Sequence, residues 1–532
     1  MAEELLAPFA TRHAVHGMVC SVDHLASEAG VSVLRAGGTA ADAAVATSAF
    51  LAVTTQHMCG MGGDLFAIVH HERGAPLVLN ASGRAGSGAD ADRLLAEGAT
   101  TMPFRYDIRS VPVPGCVDGW LALHERFGRL PLAEVLAPAI DTAGNGFPAS
   151  PTLAKAVALI ADVPGAEDYT ASGAVRPGTV LRRPGVARAL QAIVAGGRSA
   201  WYEGEFGDGL LALGRREDGS AEYEPADLAT PNADWVPALG LRAFSSDLWT
   251  VPPNSQGYLT LAAAWIAEGL PLPHDPDDPL WAHLLVEAAR QAGHDRLAVL
   301  HEHAAGPDLL DLGELGRRRD AIDLARAATL GGSARAGGTI HLATVDDDRM
   351  GVSLIQSNAA GWGAHLVVPG VRVFLQNRGI GFALEAGHPA RYGPGRRPPH
   401  TLAPALVTTP AGDLQTVVGT MGGDSQPQVL LQLIARTLQA GQHPGEAVGA
   451  GRFALAGPSG FTTWDQGGDV AVQVEGHAPA GWLDGLLSRG HRAEVAPPWS
   501  HGFGHAHLIT VEDGRLAGAS DPRPRTGAAV GW

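Results

Sequence analysis

Residues 27–35 and 40–53 are rich in Ala, Val and Leu and predict two helices, separated by the break Gly37-Gly38. The second is apolar on almost every face, the pattern of a buried helix. Further helices are predicted over 119–146, 154–161, 186–195, 260–268, 281–296 and 429–440. Strands are predicted over 65–70, 77–79, 339–345, 350–357, 371–376, 405–409, 414–419, 506–511 and 515–519. Asp346-Asp347-Asp348 turns 339–345 into 350–357 as a hairpin, and Glu512-Asp513-Gly514 makes a second. Residues 271–279, rich in Pro and Asp, read as a loop. Residues 302–335 are Gly-, Arg-, Asp- and Ala-rich and weakly periodic, a solvated tether with a helix or two. Hairpins imply antiparallel strands, so the expected fold is a layered packing of helices and sheets rather than a doubly wound parallel sheet.

The 532-residue length by itself suggests two or more domains. Hydrophobic residues make up 45% and charged ones 17%, ordinary for a soluble globular protein. The formal net charge is −17 with no long Lys/Arg run, which disfavours nucleic-acid backbones and anionic membranes as partners. Cys20, Cys59 and Cys116 form no CxxC and read as small buried hydrophobes in a reducing compartment. The N-terminal stretch lacks a basic segment followed by an apolar one, and residues 40–55 contain Asp42 and are too short to span a bilayer. A cytoplasmic protein is expected.

The sharpest local feature is Ala336-Gly337-Gly338-Thr339-Ile340-His341, where the tether runs through two glycines into a hydrophobic strand. A hydroxyl that attacks the carbonyl before it needs an unusual backbone, which Gly338 adopts cheaply. Self-cleavage there would make Thr339 a new N-terminus. Its α-amino group, with an ordinary pKa of roughly 7.7–8.0, would serve as base to its own hydroxyl.

The surroundings of this feature resemble the γ-glutamyltransferase family over nearly the whole chain. The resemblance runs through Gly17-Met18-Val19, residues 30–34, 37–46, Gly62-Gly63, Pro114-Gly115-Cys116-Val117-Asp118-Gly119-Trp120, Pro252-Pro253-Asn254-Ser255-Gln256-Gly257, Glu287-Ala288 to Asp295-Arg296, Thr339-Ile340-His341 to Asp346, and Gly518 to Arg523. It implies a four-layer αββα N-terminal-nucleophile (Ntn) hydrolase sandwich with antiparallel central sheets. One precursor would be cut into residues 1–338 and 339–532, the two chains together forming one unit. It also implies an oxyanion hole from the backbone amides of Gly422 and Gly423, and a hydroxyl partner for the nucleophile at Ser357.

Several positions depart from the family's γ-glutamyl pattern. Its carboxylate-binding arginine aligns with Ser82, and Arg84 follows two residues later. Its amino-group ligands become Arg378 and Gly381, its paired serines become His400-Thr401, and an asparagine becomes Ala359. A γ-glutamyl ammonium would meet the cation of Arg378, and like charges in a desolvated pocket repel. Arg84, Arg378, His400 and Thr401 are therefore the expected contacts for a substrate with a bare acidic end. The motifs Ser353 to Asn358, Leu375 to Gly379 and Met421 to Gln428 are similar to those of oxamate amidohydrolases and relatives of cephalosporin acylases. Hydrolysis of a small acidic amide, by water or with transfer to an amine acceptor, is the leading expectation. True γ-glutamyl transfer or glutathione hydrolysis, a glutaryl-type acylase, and an uncut inactive scaffold are the alternatives.

No cofactor is expected. Gly60-Met61-Gly62-Gly63 lacks the Lys-Ser/Thr of a phosphate loop. No Gly-x-Ser-x-Gly elbow stands at a strand–helix junction. His501, His505 and His507 lie within seven residues without a supporting Cys or Asp/Glu pattern, so no metal site is expected. His341 alternates onto the face of Thr339 and either tunes the site or packs as a core histidine.

Overall fold

The computed structural model describes residues 11–171, 173–329, 338–456 and 470–532. The hairpin expected at Asp346 forms, pairing Gly338–Val345 antiparallel with Gly351–Ala359. Gly351–Ala359 pairs in turn with Asp64–His70, then Leu77–Ala81 and Asp234–Pro237 follow. On its other side Gly338–Val345 pairs with Met18–Ser21, and that strand with Ala528–Gly531. These make one seven-stranded sheet. A second seven-stranded sheet runs in the order Arg12–Ala14, Arg515–Ser520, Ala506–Glu512, Leu414–Thr420, Ala405–Thr408, Ser246–Thr250, Leu239–Ala243. Every pairing in both sheets is antiparallel.

Alternation along the strands decides which face meets which layer. Ala343 and Val345 point inward and pack with Cys20, Phe66, Ile68, Val417 and Ile509 between the two sheets. Ile340 and Leu342 point outward into the apolar layer of the first helices. That layer is centred on Ala40–Thr54, buried at every residue as expected from its apolar faces. A capping box between Thr39 and Asp42 starts this helix, and Asp346 Oδ2 accepts the Ala40 N–H at 2.8 Å. The hairpin turn is thereby fastened to the helix layer. Across the molecule Tyr258–Glu268, Pro279–Gly293 and Gln426–Ile434 cover the outer face of the second sheet. The architecture is a four-layer αββα sandwich of the Ntn-hydrolase kind.

Some elements differ from the sequence pattern. The stretch 119–146 is two helices, Cys116–Phe127 and Leu132–Asn145, divided at Gly128 to Pro131. The helix Gln426–Ile434 continues into a π turn, Ala435–Gln439. Only Val373–Phe374 of 371–376 is strand. The tether holds one helix, Leu312–Asp320, and a short 3-10 turn, while its residues 330–335, with Ala336 and Gly337, lie outside the described residues. All three cysteines are buried and unpaired. No helix among the described residues is long and apolar enough to cross a membrane.

Candidate active site

Thr339 enters at the start of its strand, faces inward like His341, and is 1% exposed. Its Oγ1 lies 2.9 Å from Ser357 Oγ on the adjacent strand. Ser357 Oγ also accepts the N–H of Ala359 at 2.8 Å, which fixes the side chain. Ser357 is registered against Asp64, the first residue of the next strand. Gly63 before Asp64 is dictated by this approach, because a Cβ on it would fall 2.2 Å from the Ser357 carbonyl oxygen. Asp64 is fully buried and accepts three hydrogen bonds: from the Gly83 N–H (2.8 Å), Gln376 Nε2 (2.8 Å) and His400 Nε2 (3.1 Å).

The opposite wall is the end of Leu414–Thr420. A Cβ on Gly419 would come 2.2 Å from the His341 ring, so this strand crosses directly over His341. At its other end Leu414 meets Gly351, beside the far end of the Thr339 strand. The turn after Thr420 therefore continues toward Thr339. It carries Gly422 at φ 142° and Gly423 at φ 58°, conformations that glycine adopts without strain. Among the described residues neither of their N–H groups meets a protein acceptor. A 3-10 turn, Gly423–Ser425, leads straight into the helix Gln426–Ile434, whose N-terminal dipole adds positive potential at these amides. Gln256 Nε2 secures the turn by donating to the carbonyls of Gly423 and Thr401, each at 3.1 Å.

His341 is structural in its bonding. Ser353 Oγ donates to the Val418 carbonyl at 3.0 Å, so His341 Nε2 (3.0 Å) donates to Ser353. His341 Nδ1 then accepts from His507 Nδ1 at 3.2 Å. Burial, then the neighbouring His507, keeps the His341 ring well below its ordinary pKa and uncharged. His501 and His505 bond each other instead, at 2.8 Å. Among the described residues no group of three or more His, Cys, Asp or Glu side chains could hold a metal.

The four residues expected to bind an acidic end separate into two sets. Arg378 is buried at 3% exposure and donates from Nη1 to Thr401 Oγ1 at 3.2 Å. Burial, then Arg296, lowers its pKa to about 10, which still leaves it charged at neutral pH. A Cβ on Gly381 would stand 3.4 Å from Arg378 Nη2 and 2.6 Å from the Pro399 carbonyl. The space next to Gly381 is thus occupied by the guanidinium. Asp424 lies close by, in a 3.4 Å ion pair with Arg296.

Arg84 and His400 correct the expectation of a cluster of cations. Arg84 pairs with Asp234 at 3.1 Å and with Glu302 at 4.0 Å, so its charge is neutralised within the protein. His400 accepts the Leu402 N–H at Nδ1 and gives its Nε2 proton to Asp64. Burial holds its pKa down at about 4 despite that bond, and the ring is neutral. The positive charge facing this wall comes from Arg378. The motifs containing Asp64, Gln256 and Gln376 were visible in the sequence, but their roles as braces were not. Each acts through partners far away in the chain.

The sequence model of gamma-glutamyltranspeptidase matches residues 26–531. The oxamate amidohydrolase proenzyme of Klebsiella pneumoniae is 34% identical, over 97% of this chain and 98% of its own length. The glutathione hydrolase-like YwrD proenzyme of Bacillus subtilis is 35% identical, with 97% and 98% covered. The crystal structure of a cephalosporin acylase from Bacillus halodurans superposes with a TM-score of 0.89 at 31% identity, covering 100% of this chain and 99% of that one. The chain belongs to the gamma-glutamyltranspeptidase family and is an enzyme of its Ntn-hydrolase type.

Proposed function

We propose that the chain cuts itself before Thr339 and then hydrolyses an amide adjacent to a carboxylate, of which oxamate is the smallest example. The observation that carries this reading is the Thr339–Ser357 hydroxyl pair, with the Gly422-Gly423 turn at the end of the strand that crosses His341 and Arg378 filling the space beside Gly381. In the precursor, Thr339 Oγ1 attacks the Gly338 carbonyl carbon, the Gly338–Thr339 C–N bond breaks, and water hydrolyses the resulting ester. Two chains follow, 1–338 and 339–532. Both contribute strands to each sheet, so they remain one unit after the cut.

In the mature enzyme the Thr339 amine takes the proton of its own hydroxyl, and the oxygen attacks the substrate carbonyl. The Gly422 and Gly423 amides stabilise the oxyanion; a donor of this kind is worth about 3–4 kcal/mol in other enzymes. The amine then protonates the departing nitrogen, leaving an acyl ester that water cleaves. Arg378, steadied by Thr401, pairs with the substrate carboxylate. A γ-glutamyl head-group would bring an ammonium to this cation. The likeness to a cephalosporin acylase supports a second reading, a larger acyl group in the same orientation. Three unpaired buried thiols suit a reducing, cytoplasmic setting.

The test is a hydrolysis comparison. Purified protein is expected to release oxalate and ammonia from oxamate and to turn over γ-glutamyl-p-nitroanilide at least about 100-fold less efficiently, the scale of a like-charge contact. Faster turnover of the γ-glutamyl compound would overturn the substrate assignment.

A further inference from the structure

Arg105 is a cation at the rim of this site with no acidic partner among the described residues. Among the described residues no carboxylate lies within ion-pair distance of it, and its Nε has no hydrogen-bond partner. It is partly buried, stacks over the Phe104 ring at 5.2 Å, and donates from Nη2 to the Gly361 carbonyl at 3.2 Å. Partial burial of a charge without a counter-ion is unfavourable and is retained where a ligand supplies the counter-charge.

Its position is fixed on both flanks. The Phe104 carbonyl accepts Asn377 Nδ2 at 2.7 Å, and Asn377 Oδ1 accepts the Ala360 N–H at 3.0 Å. Asn377 precedes Arg378, and Ala360 follows the Ser357 strand. Two buried imidazoles flank this loop, His57 from the turn after Ala40–Thr54 and His365 from the loop itself. His57, 7% exposed, has no hydrogen-bond partner at either ring nitrogen, and its carbonyl accepts the Trp362 N–H at 3.2 Å. His365, 3% exposed, bonds Tyr106 Oη through Nδ1 at 3.0 Å while its Nε2 has none.

Register assigns this rim to one side of the reaction. Gly338 is paired with Ala359, so Ala359 to Gly361 border the side of Thr339 on which its backbone nitrogen lies. That nitrogen is the base, and it must reach the departing amine. The acyl part of the substrate is assigned above to Arg378 and Thr401, which leaves this rim for the departing amine. We propose that Arg105 forms a leaving-group subsite that binds a carboxylate on the departing amine, so that the enzyme accepts N-acyl amino acids as well as simple amides. The subsite rests on the hydrolase reading above. The reaction balances: the amide C–N bond breaks, water supplies OH to the acyl group, and the amino acid leaves with the proton from the Thr339 ammonium.

The test uses three substrates sharing one acyl group: oxamate, N-oxalylglycine and N-oxalylglycinamide. The processed wild-type enzyme is expected to favour N-oxalylglycine over its glycinamide by on the order of tenfold in kcat/KM, mostly through KM, the scale of one charge-assisted hydrogen bond at a rim. Arg105→Gln is expected to abolish that preference while changing oxamate hydrolysis less than about twofold, and Arg105→Lys to restore part of it. Oxamate turnover with no preference in the wild type, or a preference that survives Arg105→Gln, overturns the subsite alone. Equal losses on all three substrates also overturn it, because they mark a structural role. No turnover of any of the three overturns the hydrolase reading and the subsite with it.

Discussion

Replacing Arg378 with Met separates a substrate-binding cation from a structural one, because the two roles give opposite results for stability. The folded state holds the Arg378 guanidinium at about 10, some way below its ordinary value, mainly by burial. For a base, a folded pKa below the unfolded one means that the charged form is disfavoured in the fold at every pH below the folded value. The gap is worth on the order of 3 kcal/mol against folding at neutral pH. That gap already includes the attraction of Asp424 and Asp64; Met fills a similar volume without the burial penalty and gives up these attractions and the hydrogen bond to Thr401, the latter about 1 kcal/mol. The variant is therefore expected to melt no lower than the wild type. Its catalysis should fall sharply, since truncating one partner of a buried charge pair costs about 2–4 kcal/mol, on the order of 30- to 1,000-fold. Steady-state kinetics on oxamate and on the neutral diamide oxamide, beside a thermal melt, supply the readout. The loss should lie in KM for oxamate, with oxamide changed less than about threefold. A lowered melting temperature, or equal losses on both amides, would refute the argument by making Arg378 a member of a structural ion network.

Ser357→Ala removes the hydroxyl 2.9 Å from Thr339 Oγ1, and both the rate of self-cleavage and kcat should fall by about 10- to 100-fold in timed gels and steady-state assays. Thr339→Ser keeps a hydroxyl and should still process and turn over, more slowly, by the same assays. Asp521 is buried, which raises its pKa, but Arg452 and Arg523 outweigh this and hold it well below the usual carboxylate range. Its contribution to stability is full above about pH 4 and is lost as pH falls through the depressed folded value. Asp521→Asn should therefore lower the melting temperature at pH 7 by an amount equivalent to about 3–5 kcal/mol, and this difference should narrow only in strong acid.

The strand that begins at Gly338 and its surroundings were legible because local pattern and motif agree there. Thr339, Ser357 and the Gly422-Gly423 turn were each marked by residue type and position in the chain. Strands such as Leu239–Ala243 and Ser246–Thr250 were not, because they are short and mix polar with apolar residues, and the strand that ties their hairpin into the second sheet, Ala405–Thr408, comes from beyond residue 400. The charge state of the substrate wall was only half legible. Sequence counts Arg84 and His400 as basic, whereas Asp234, contributed from elsewhere in the chain, neutralises the first, and burial keeps the second uncharged despite its bond to Asp64. The signature at residues 518–523 is equally instructive. Asp521 accepts the Ala506 N–H at 2.8 Å, and Arg523 joins Asp521 and Glu475, so the motif locks the second sheet to the neighbouring sheet of Ala471–Glu475 and touches none of the reacting groups.

Intact mass and N-terminal sequencing of the purified protein test the central claim most directly. The account requires two fragments, the second beginning at Thr339, and a single uncut chain from Thr339→Ala. A wild-type chain that stays whole on incubation, or a second fragment starting at another residue, would contradict it.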